Sequence, residues 1–172
     1  IKHALAYLRL IANEDDDTSF ARVVNFPTRG IGARSLELLS DAARTYNTSF
    51  YATVPHLSGK PGSVLAQFVR LIEDMRRDTA GLPLPEVVDH VLDSSGLRAH
   101  YTADKDGRER LENLDELLNA AAYFAGEVQA NAGTDADTGA DARAQAHAQL
   151  ADFLAHASLE AGDHQADQGV DA

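Results

Sequence analysis

The sequence predicts an all-α fold, a compact bundle of about seven helices. Three observations carry that expectation. Apolar residues recur at three- and four-residue spacing along most of the chain, no segment alternates with a period of two, and the composition is Ala- and Leu-rich, with aromatics only 6%. At 172 residues the chain is long enough for one sizeable core.

Each element has its own signal. Ala4, Leu5, Leu8 and Ile11 form a helical stripe that Tyr7 and Leu10 widen. The run Asn13-Glu14-Asp15-Asp16-Asp17 ends that helix as a solvated turn, and Asp17 or Thr18 is placed to cap the next. Phe20, Val23, Val24 and Phe26 give the second stripe. After the turn Pro27-Thr28-Arg29-Gly30-Ile31-Gly32, Leu36, Leu38, Leu39 and Ala42 give a third, running to about Tyr46. A short helix is predicted from Ser49 to Val54, and Ser58-Gly59-Lys60-Pro61-Gly62 reads as a loop. Val64, Phe68, Leu71, Ile72 and Met75 mark a strong helix closing near Gly81. Val87, Val88, Val91 and Leu92 mark another, ending at Ser94-Ser95-Gly96. Asp104-Lys105-Asp106-Gly107 is a turn before the longest periodic stretch, Leu111, Leu114, Leu117, Leu118, Ala121 and Phe124. Residues 126–147 are expected to form a flexible Ala/Asp/Gly-rich segment, most mobile from Gly126 to about Gly139. Leu150, Phe153, Leu154 and Leu159 define the last helix, and 162–172 a frayed polar tail.

Composition excludes several functions. With no cysteine there are no disulfides or thiolate metal sites, and no apolar run approaches the roughly 18 residues of a membrane span. The net charge of −12 is uneven: residues 120–172 hold nine acids against Arg143 alone, whereas 1–119 hold eighteen acids and fourteen bases. Charges farther apart than roughly 8–10 Å are screened, so the N-terminal two thirds can still meet a polyanion. It has no basic stripe, and weak binding is the expectation.

The chemistry-bearing feature is the Gly30-Ile31-Gly32 turn between two apolar stripes, the pattern of a helix-hairpin-helix that grips a sugar–phosphate backbone. The glycines permit a tight turn and close approach of a ligand. Ile31 is predicted to point inward, while the amides of Gly30, Ile31 and Gly32 and the next helix's N-terminus face outward as a phosphate site. Thr28, Arg29, Arg34 and Ser35 complete the candidate nucleic-acid contacts. Such contacts carry no sequence information.

Five stretches in order, Ala6-Tyr7-Leu8-Arg9-Leu10-Ile11-Ala12-Asn13, Val23-Val24-Asn25-Phe26-Pro27-Thr28-Arg29-Gly30-Ile31-Gly32, Ser95-Gly96-Leu97, Arg110-Leu111-Glu112-Asn113-Leu114-Asp115-Glu116-Leu117 and Phe153-Leu154-Ala155-His156-Ala157-Ser158-Leu159-Glu160, resemble the 2B subdomain of UvrD/Rep/PcrA-type superfamily 1 DNA helicases, nearest the UvrD branch. The resemblance implies a single helical subdomain, 1–172, excised from a larger bacterial cytoplasmic, nucleoid-associated enzyme of repair and replication. It implies ATP and Mg²⁺ in the parent's motor subdomains, with no cofactor in this piece. It implies a swivelling, regulatory role whose partners are duplex DNA at a fork or single-strand/duplex junction, the parent's own motor, and a second helicase copy or repair proteins. In that picture both chain ends are hinge strands and 162–172 is hinge-proximal.

Other residues read blandly. Gly59-Lys60 is followed by Pro61 and lacks the upstream glycine and strand of a Walker loop. Arg110, Glu112 and Asn113 read as helix-fixing residues, Asn113 through a buried hydrogen bond to a loop carbonyl. The seven histidines lack metal-ligand spacing, His156 reads as a surface pair with Asp152, and no catalytic constellation stands out. The competing reading is a helical protein–protein interaction module with no DNA contact, favoured by the acidic C-terminal third.

Overall fold

The computed structural model describes the backbone of residues 1–131 and 139–168, and the side chains of 1–128 and 143–158. Among the described residues the chain is all-α. Nine helices run in order: α1 (Lys2–Ala12), α2 (Asp17–Val23), α3 (Ala33–Tyr46), α4 (Phe50–Thr53), α5 (Gly59–Thr79), α6 (Leu84–Ser94), α7 (Leu97–Ala103), α8 (Arg108–Asn131) and α9 (Gly139–Gln168), with a 3-10 turn over Val54–His56 after α4.

Helix α1 is the axis of the bundle. Ala4, Leu5, Ala6, Tyr7, Leu8, Leu10 and Ile11 are all buried, because α2, α5, α6 and α9 pack round it. A helix apolar on most of its circumference is stable only when enclosed in this way. Phe20 of α2 meets Phe68 of α5 edge-on at 5.1 Å and Phe50 of α4 at 5.9 Å. Leu114, Leu117 and Ala121 of α8 and Leu150, Phe153 and Leu154 of α9 close the core from the far side.

Several expectations are corrected. Asp16, not Asp17 or Thr18, caps α2: its carboxylate accepts from the Ser19 amide at 3.1 Å and the Ser19 hydroxyl at 2.8 Å. The acidic run is a tether rather than a solvated turn, since Asp15 accepts from Ser49 Oγ at 2.6 Å and Asp17 from the Phe50 amide at 2.9 Å. The expected loop at 58–62 is mostly the first turn of α5, where Pro61 is tolerated because first-turn amides have no intrahelical acceptor. Leu38 is 38% exposed, and the buried line of α3 is Leu39 and Ala43, with Leu36 half-buried. Helix α7 was not signalled: its seven residues carry only Leu97 and Tyr101 on the core side. Helix α8 runs past Gly126 to Asn131, since Ala, Glu and Gln propagate an established helix at little cost. The centre of the predicted flexible segment, 132–138, and the tail beyond Gln168 lie outside the described residues.

Gly107 fixes where α8 begins. A Cβ there would stand 1.9 Å from the Tyr101 carbonyl oxygen, so only glycine lets the turn close against α7.

Candidate nucleic-acid interface

The loop between α2 and α3 is built from within by Asn25. Its Oδ1 accepts from the amides of Arg29 at 2.8 Å and Ile31 at 3.1 Å, folding residues 25–31 round one side-chain oxygen. Short polar side chains favour such local backbone bonds. Gly30 turns the chain with φ +77°, and Ile31 drops into the core at 2% exposure, as its place between two glycines predicts.

Beneath the loop lies a second brace, Arg29. Its Nη1 donates to the carbonyls of Val23 at 2.9 Å, Pro27 at 3.2 Å and Val24 at 3.4 Å, and its Nη2 donates to Tyr7 Oη at 2.5 Å and the Ser95 carbonyl at 3.0 Å. The guanidinium also lies over the rings of Phe68, at 5.3 Å, and Tyr7, at 5.6 Å. Tyr7 in turn donates to the carbonyls of Phe26 and Val23. Burial pushes the Tyr7 phenol up to about 12, with the Arg29 charge offsetting only part of that rise. Pro27 rests on Gly96 at the α6–α7 turn. Three of the sequence stretches singled out above thus converge at the α2–α3 loop: Tyr7 from α1, the loop itself, and Ser95-Gly96.

Two of the expected contacts therefore change role. The Arg29 side chain is turned inward and both its Nη groups are engaged, so it braces the loop from beneath. The Ile31 amide is held by Asn25. What remains outward is a compact row. Thr28, Gly30, Gly32, Ala33 and Arg34 are exposed and Ser35 half-buried. The first bond of α3 runs from the Leu36 amide to the Gly32 carbonyl at 3.3 Å, and among the described residues nothing accepts from the amides of Gly30, Gly32, Ala33, Arg34 or Ser35. Gly32, the N-cap, provides no side-chain oxygen to cover them. Its backbone, φ −91° and ψ 178°, suits any residue, and a Cβ on it would meet nothing within 4 Å. The fold does not require glycine there, whereas Ser or Asp would cap α3 better. A chain that declines a better cap leaves its amides and the positive end of a fourteen-residue helix open.

The remaining candidates are quickly placed. Lys60 lies in the first turn of α5, and Gly62 is backed against the Leu57 carbonyl, 2.5 Å from where a Cβ would sit, so Gly59–Gly62 makes no phosphate cradle. Among the described residues no group of three or more His, Asp or Glu is arranged to hold a metal, and no helix is long and apolar enough to cross a membrane. Asn113 is half-buried and makes no side-chain hydrogen bond with any described residue, contrary to its predicted role. The His156 ring lies against Phe124 at 6.1 Å.

Comparison with known proteins decides the family. The description "UvrD-like helicase C-terminal domain" matches residues 1–170. The chain belongs to that family. This UvrD-like domain is 39% identical to DNA helicase II of Escherichia coli over an alignment of 180 residues that covers all of the chain and 23% of that protein. Against DNA helicase II of Haemophilus influenzae it is 40% identical, covering 96% of the chain and 22% of the relative. Against the ATP-dependent DNA helicase PcrA of Bacillus subtilis it is 37% identical over 72% of the chain and 18% of the relative. The UvrD-like domain thus spans less than a quarter of the length of these relatives. Asn25, Tyr7 and Ser95 were not singled out as site residues. Asn25 had a local signal, a short amide four and six residues from the amides it binds, whereas Tyr7 and Ser95 act across 22 and 66 residues of sequence.

Proposed function

We propose that this chain is the duplex-binding, regulatory 2B-type subdomain of an ATP-dependent 3′–5′ DNA helicase, acting as an anchor with no catalysis of its own. The observation that carries the proposal is the row of open amides, Gly30 and then Gly32 to Ser35, above the Arg29 brace. A phosphate oxygen placed there accepts from several amides at the positive end of α3 and meets no Cβ at Gly30 or Gly32. Arg34 adds a mobile charge, and Thr28 and Ser35 add hydroxyls. The contact is to backbone only and is therefore independent of sequence, as a motor advancing along arbitrary DNA requires. The names of the relatives supply the helicase context. ATP and Mg²⁺ chemistry belongs to motor subdomains elsewhere in such a protein, and a cytoplasmic, nucleoid-associated setting follows from the same reading.

An interaction module without DNA contact is the second reading. The acidic C-terminal third favours it, as does Tyr123, 70% exposed beside a groove of about 650 Å³ lined by Ile1, Leu5, Phe124 and Phe153. Fluorescence anisotropy with a random-sequence duplex at low salt separates the two. The proposal expects binding that Gly32→Asp, which plugs the amides with a carboxylate, weakens at least tenfold. No binding by either at micromolar concentrations supports the second reading, whereas equal binding by wild type and Gly32→Asp removes the open amides as the DNA contact.

A further inference from the structure

We propose that Lys2, Arg22 and Arg110, on three helix ends beside the ring cluster of His3, Phe26 and His100, form a second phosphate contact that extends the DNA track sideways from the open amides. The proposal rests on the duplex-binding reading above and adds a separate surface to it. Phe26 is the hub. His3 of α1 stacks on it with centroids 3.8 Å apart and planes 15° apart, His100 of α7 meets it at 4.8 Å and 66°, and Tyr101 lies at 6.1 Å. Lys2 adjoins His3 in the first turn of α1, Arg22 stands in the last turn of α2, and Arg110 in the first turn of α8. Three helix ends therefore deliver their cations to one rim.

Two further observations bear on these cations. All three are exposed, and among the described residues none is ion-paired, whereas Arg76, Arg77, Arg98 and Arg108 are paired with carboxylates and Arg29 is spent on the loop. For two of the three, placement also works against helix stability. Lys2 and Arg110 occupy first turns, where the helix dipole disfavours positive charge, and α1 has no acid in its first turn to compensate. Three exposed, unpaired cations grouped beside one ring cluster, in a chain of net charge −12, suit an external anion. The crowding of positive charge is felt by His3, whose pKa is lowered first by burial and then by neighbouring cations, Arg22 and Arg110 among them. The rim is continuous with the hairpin through Phe26, which is in the loop itself, so one polyanion can follow both.

The test is the salt dependence of duplex affinity in the full-length protein, read by anisotropy with a random-sequence duplex carrying a 3′ single-stranded tail. Neutralising Arg22→Ala together with Arg110→Ala should lower the slope of log K against log salt by about two units, since each lost phosphate contact removes roughly 0.9. The control pair Lys60→Ala with Arg70→Ala, exposed unpaired cations on α5, changes net charge equally and should leave the slope alone. Should the alanine pair melt lower than wild type, Arg22→Gln with Arg110→Gln keeps much of the aliphatic stem and gives the same reading. An unchanged slope, or an equal drop in the control pair, overturns the proposal. If Gly32→Asp weakens binding while the Arg22/Arg110 pair does not, the rim falls and the hairpin reading stands. If the pair weakens binding and Gly32→Asp does not, the rim stands and the hairpin contact falls. Absence of any duplex binding by wild type overturns both.

Discussion

Replacing Arg29 by alanine removes the brace beneath the hairpin, and its effect should appear in stability before it appears in DNA binding. Three of its bonds are short: to the Val23 carbonyl at 2.9 Å, the Ser95 carbonyl at 3.0 Å and Tyr7 Oη at 2.5 Å. Bonds from a charged donor contribute about 1.5–3 kcal/mol each when well desolvated. Arg29 is half-buried, and the Val23 carbonyl keeps the Phe26 amide as a donor, so about 1 kcal/mol per short bond is the better figure. The sum, about 3 kcal/mol, corresponds to a fall in Tm of roughly 6–12 °C for a chain of this size. Thermal unfolding followed by far-UV circular dichroism measures it. Arg29→Lys should recover less than half, since one ammonium cannot span acceptors on α1, the loop and the α6–α7 turn. An Arg29→Ala chain that melts within a degree of wild type yet loses duplex affinity would refute this reasoning and return Arg29 to the DNA-facing surface.

Other perturbations follow from the same structure. Gly107→Ala drives a Cβ into the Tyr101 carbonyl, so it should cost several kcal/mol (about 3 or more) and drop Tm sharply, whereas Gly32→Ala, in open space, should leave Tm nearly unchanged. Asp16→Ala removes the cap of α2 and should cost about 1 kcal/mol, read as a lowered urea midpoint with an unchanged m-value. The pKa of His3 is lowered in the fold, so on acidification the unfolded chain takes up a proton first. Stability should therefore fall as pH drops below the ordinary imidazole value of about 6.5, and His3→Phe, which keeps the stack on Phe26, should reduce that fall between pH 7.5 and 5.5.

Helix existence and most core positions were legible because period and burial coincide: Leu5, Leu8, Phe68, Ile72, Leu114 and Phe153 all read correctly as core. The turn's position and the inward Ile31 were legible too, since two glycines flanking a β-branched residue leave few alternatives. The direction of Arg29 was not. An arginine in a glycine-rich turn reads as outward, and two of the acceptors that draw it in belong to Tyr7 and Ser95, far away in sequence. Helix α7 was too short for periodicity to register, and Pro61 disguised the start of α5 as a loop. In each failure a tertiary partner, or a helix-end rule, overrode local pattern.

The most direct measurement records backbone amide chemical shifts while the chain is titrated with a random-sequence duplex. The account predicts that the amides of Gly30, Gly32, Ala33, Arg34 and Ser35 move most, while those of Arg29 and Ile31, already held by Asn25, move little. Perturbations confined to α8 and α9, with the hairpin silent, would contradict it.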